Sequence, residues 1–110
     1  MSHITITQAE VGAVLGRIAD GEVTQVILTL SKPISGDTGE VTTLIICEPT
    51  ARQMEAMDRV PGEMAKIRHL LAAINKMAPP LLEGMAGRDM VAMGALVGAF
   101  LGGAPPIGGM

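Results

Sequence analysis

The sequence predicts an α+β fold: a β-hairpin followed by a small bundle of three to four helices, with a flexible Gly/Pro-rich C-terminal tail. Three observations predict it. Two β-branched runs, at residues 22–33 and 41–48, flank the turn-forming residues Ser35, Gly36, Asp37, Thr38 and Gly39. Beyond Pro49 the apolar residues change to helical spacing and keep it to Leu101, with breaks at Pro61 and at Pro79 and Pro80. At 110 residues the chain is long enough to close one hydrophobic core without disulfides or a metal. The expectation is a single domain over residues 1–101, with the hairpin at about 23–48, helices at about 50–59, 63–77, 80–84 and 87–101, and the tail at 102–110.

From the amino end, Ile4, Thr5, Ile6 and Thr7 alternate, and Thr7 and Glu10 then stand at the spacing of a capping box. Val11, Val14, Leu15 and Ile18 follow at helical intervals, so a short helix is expected before the Asp20-Gly21 turn, weakened by Gly12 and Gly16. In the first hairpin strand Val26, Leu28 and Leu30 alternate with Ile27, Thr29 and Ser31. Leu44 and Ile46 on the return strand complete the apolar face. Pro49 ends that strand, and Thr50 with Gln53 forms a second capping box that opens a helix carrying Met54 and Met57 on one side. After Val60, Pro61 and Gly62, the residues Met64, Ile67, Leu70, Leu71, Ile74 and Met77 define an amphipathic helix. Its polar face carries Glu63, Lys66, Arg68 and Lys76. Pro79 and Pro80 stop it and suit the first turn of a short helix through Leu81 and Leu82. The last helix places Met90, Met93, Val97 and Phe100 on one side, while Gly94, Gly98 and Gly102 follow four apart.

Composition excludes several function classes. A net charge of -3 leaves no basic patch to neutralise phosphates, and with no Trp, no Tyr and one Phe there is no aromatic platform for bases, so nucleic acid is not an expected partner. The single Cys47 forms no internal disulfide and suits a reducing compartment. No basic stretch followed by an apolar run opens the chain, so no secretory signal is expected. The apolar residues 90–101 fall short of the roughly 20 that span a bilayer, so no membrane role is expected. Cys47, His3 and His69 are too scattered for a zinc site, and no metal or cofactor is expected. Ser31, Ser35 and Cys47 lack the surroundings of a nucleophile, and Glu55 with Asp58 reads as a solvated helix face. No catalytic residue is assigned, and the chain is not expected to be an enzyme.

Two features remain. The sequence carries nine Met, and flexible thioethers suit surfaces that accept varied apolar partners. Met54, Met57, Met90 and Met93, with Val97 and Phe100, are the candidate partner-binding residues; the alternative is that the Met fill an aromatic-poor core. Gly94, Gly98 and Gly102 permit close approach of a helix, either inside the monomer or between copies in a homo-oligomer.

Residues 26–34, VILTLSKPI, and 39–51, GEVTTLIICEPTA, resemble the hairpin and helix opening of a tail assembly chaperone family of long-tailed and contractile-tailed phages and prophages. The quoted markers are Ser31, Lys32 and Pro33, then Glu48, Pro49 and Thr50, then Leu70, Leu71 and Ala72, the pair Pro79 and Pro80, Asp89, and a final Phe100 and Leu101. The chain departs from the pattern at Cys47, where a basic or polar residue is usual, and at Ala86, where an acidic helix cap is common. The resemblance implies a protein that binds and solubilises the tape-measure protein in the host cytoplasm, helps recruit tail tube subunits and stays out of the virion. It also implies a longer, frameshifted form of the same chain; Gly102-Gly103 and Gly108-Gly109 are where G-rich codons would permit slippage. A structural tail component that self-assembles and is retained in the particle is the alternative.

Overall fold

A computed structural model describes residues 3–36 and 39–101. The chain runs through β1 (His3–Thr7), α1 (Val11–Ala19), β2 (Gln25–Gly36), β3 (Gly39–Cys47), α2 (Ala51–Asp58), α3 (Glu63–Asn75) and α4 (Gly87–Phe100), with 3-10 turns at Gln8–Glu10 and Pro79–Gly84. The fold is α+β, as the pattern predicts. The expected tail at 102–110, including Gly102, lies outside the described residues, as do Asp37 and Thr38 of the hairpin turn.

The sheet differs from expectation in having three strands, in the order β1-β2-β3. The alternating Ile4 and Ile6 form a strand of their own that pairs in parallel with β2, from His3↔Gln25 to Thr7↔Thr29. A parallel neighbour requires a crossover, and α1 supplies it. The Thr7–Glu10 capping box is formed: the Glu10 carboxylate accepts from Thr7 N at 2.8 Å and Thr7 Oγ1 at 3.1 Å. It turns the chain out of β1, and Val11, Val14 and Ile18 then pack inward. Gly21, at φ 79°, makes the return turn in a conformation that a side chain would strain.

β2 and β3 pair antiparallel, and Val26, Leu28, Leu30, Leu44 and Ile46 form the buried face. Ile6 joins them from β1. The helices contribute Met57, Ile67, Leu70, Leu71, Met93, Leu96 and Val97 to the same cluster. The second capping box opens α2, with Gln53 N donating to Thr50 Oγ1 at 3.1 Å and Thr50 N to Gln53 Oε1 at 3.0 Å. Lys66 Nζ donates to the carbonyl oxygen of Asp58 at 3.0 Å, closing the C-terminal end of α2 from α3 and offsetting its negative dipole end.

Candidate interaction surfaces

The candidate residues divide sharply by burial. Met57 is 2 % exposed, Met90 8 %, and Met93 and Val97 are fully buried. These side chains are core; in the folded chain they are not available to a docking partner, which corrects the expectation of a Met-lined surface at these positions. The reason is packing: with one aromatic residue in the chain, α4 fills the space over β2 and β3 with unbranched thioethers. Phe100 is half-buried against the cluster. Met54 alone among the candidates is exposed, at 43 %, and it is joined by Met64 at 51 % and Val91 at 66 %. Met64 shares the apolar periodicity of α3 yet faces outward in its first turn.

A Cβ added at Gly94 would meet Ile67 Cδ1 at 3.5 Å, an ordinary contact, so Gly94 lies at the α3–α4 junction inside the monomer. Gly98 is half-buried on the same helix.

The least expected polar group is Asp89, which is fully buried. Its cause lies in β2. Between the Thr29↔Thr43 and Ile34↔Val41 pairs, β2 places Leu30, Ser31, Lys32 and Pro33 where β3 has only Thr42. Such a bulge strips backbone groups of their ladder partners, and Pro33 has no N–H to offer. Asp89, in the first turn of α4, supplies the missing acceptors: Ser31 N donates to both carboxylate oxygens at 3.0 Å, Ser31 Oγ to Oδ2 at 3.0 Å, and Lys32 N more weakly at 3.4 Å. No cation pairs with Asp89 among the described residues; these donors and the positive end of α4 compensate its burial. Ala86, the residue before α4, makes no side-chain cap bond.

A second side chain also behaves like backbone. Asn75, the last residue of α3, accepts from Ile45 N at 2.8 Å and donates from Nδ2 to the carbonyl oxygens of Ile45 and Leu71, both at 2.9 Å. It therefore occupies the outer edge of β3. Sequence periodicity had no means of finding it, because the contact depends on where α3 stops.

On the sheet face opposite the core lie Thr5 from β1, Ile27 and Thr29 from β2, and Thr43, Ile45 and Cys47 from β3, exposed or half-buried and without a charge. Cys47 borders a cleft of about 450 Å³ with Ile18, Val23, Thr24, Glu48 and Phe100. Burial pushes its thiol pKa up, which slows reaction as a thiolate. Among the described residues no cluster of His, Cys, Asp or Glu has the makings of a metal site, and no helix is long and apolar enough to cross a membrane.

Compared with protein-family models, curated proteins and solved structures, the chain matches none.

Proposed function

We propose that this chain is a tail assembly chaperone of a tailed phage or prophage, acting in the bacterial cytoplasm to bind and solubilise the tape-measure protein, and absent from the finished particle. One observation carries the reading. Ser31 and Lys32 of the Ser-Lys-Pro marker and Asp89, a second marker more than fifty residues further along the chain, meet in one hydrogen-bonded contact built on a buried carboxylate. A chance likeness of tripeptides has no reason to select a mutually dependent set; a shared fold has one.

The binding surface in this reading moves from the Met of α4 to Met54 and Met64, whose flexible side chains suit an amphipathic helical client. Many copies along one extended client compensate for a small contact each. Tail tube subunits and a longer frameshifted form of the chain are the further partners in this scheme.

The test is co-expression of the tagged chain with the long helical protein encoded beside it, followed by affinity capture and light scattering. A soluble multi-copy complex is expected. An insoluble client with this chain alone in solution counts against the proposal and favours a retained structural subunit, which mass spectrometry of purified particles would find in stoichiometric amount.

A further inference from the structure

The two edges of the sheet are finished differently. On β3, Ile45 sends its N–H and its carbonyl outward, where the Asn75 side chain holds both. That fixes the parity of the whole sheet. Ile45 and its partner Ile27 form a non-hydrogen-bonded pair, so Ile27 directs its backbone groups toward β1. In the parallel register Ile4↔Val26, Thr5↔Ile27 and Ile6↔Leu28, it is then Ile4 and Ile6 that bond to β2. His3 and Thr5 direct their N–H and C=O groups to the open side. Among the described residues nothing meets them there. Thr7, the next residue of that parity, has its N–H taken by Glu10.

Edge strands that stay single are blunted by charge, proline, a bulge or a covering element. The β3 edge has its cover. Among the described residues the β1 edge has none of these: HITIT is uninterrupted, β-branched and free of Asp, Glu, Lys and Arg. We propose that this edge pairs with the same edge of a second copy, antiparallel about a two-fold axis at Ile4, to give a continuous six-stranded sheet.

The register follows from the groups on offer. With Ile4 opposite its own copy, His3 faces the other chain's Thr5 twice, and all four outward N–H groups find carbonyls without calling on Thr7. Ile4 supports the choice independently. It points to the core side, packs against the cluster and yet stays half-exposed, because none of the described residues covers it at the open edge. Its own copy would cover it, at the close spacing of a non-hydrogen-bonded pair. No like charges oppose one another in this arrangement. The pairing is independent of the chaperone reading.

Sedimentation equilibrium on the wild-type chain and on Thr5→Pro tests it. Thr5→Pro deletes an outward N–H and leaves the bonds from Ile4 and Ile6 to β2 in place. The wild type is expected to rise from 11.4 kDa toward twice that mass with concentration, and the variant to associate at least ~10-fold more weakly with an unchanged circular dichroism spectrum. Should Thr5→Pro unfold, the decision passes to Ile4→Cys in a Cys47→Ser chain, which is expected to cross-link to itself on oxidation, since Cα atoms about 4.5 Å apart suit a disulfide. A wild-type mass that stays at 11.4 kDa across the soluble range, a dimer indifferent to Thr5→Pro, or no cross-link in a folded Ile4→Cys chain overturns the proposal. A monomer that pairs only with an added extended peptide assigns the edge to another protein instead.

Discussion

Methionine does opposite things in two regions of this molecule. On α4, Met90 and Met93 belong to the core and are closed off from solvent, whereas across the α2–α3 turn Met54 and Met64 stand exposed. The sequence signal is the same in both places, an apolar residue at helical spacing. What differs is the neighbour. α4 packs against β2, β3, α1 and α3, while α2, which carries Met54, packs only on α3 among the major contacts; Met64 stands in the first turn of α3, with its side chain outward from a helix that is otherwise packed. A Met-rich composition therefore meets two surroundings here, and packing separates them.

The comparison is broken most severely at Asp89, which anchors the buried helix to the bulge. Asp89→Ala is expected to destabilise the fold by about 3 kcal/mol or more, because Ser31 N, Ser31 Oγ and Lys32 N lose a shared charged acceptor at once. Urea denaturation measures it; a loss under about 1 kcal/mol would mean that water replaces the carboxylate. Met93→Ala comes next, at about 2–4 kcal/mol, since a fully buried side chain leaves a cavity. Asn75→Ala is smaller, at about 1 kcal/mol, because removing it lets water reach the β3 edge. It is also expected to make that edge prone to association, visible as a shifted elution volume. The double change Met54→Gln with Met64→Gln closes the series. Stability should change by no more than about 0.5 kcal/mol, while capture of the client falls severalfold. Unchanged capture would remove both side chains from the proposed surface; a large loss of stability would show the two regions to be less distinct than their exposure indicates.

Much of the fold is legible without the structure. The inward set Val26, Leu28, Leu30, Leu44 and Ile46 follows from period-two alternation, and both capping boxes follow from a Thr with Glu or Gln three residues later. β1 is the instructive miss. Its Ile-Thr alternation is visible, but five residues become a strand only when a neighbour offers a ladder, and here that neighbour is separated by the whole of α1. The surface assignment failed for a related reason: helical periodicity says which residues share a side, not whether anything covers that side.

By itself, the sequence determined the properties that depend on near neighbours. These are the strand and helix runs, the capped helix starts, the proline breaks and the apolar face of the hairpin. Tertiary structure decided what depends on distant partners. It turned Met90 and Met93 inward, gave the backbone of Ser31 and Lys32 to a carboxylate in α4, closed one sheet edge with Asn75 and, among the described residues, left the other open. The physical reason is the same throughout. Local patterns set dihedral preferences and faces, but a buried polar group or an apolar side is satisfied only by whatever the fold brings to it.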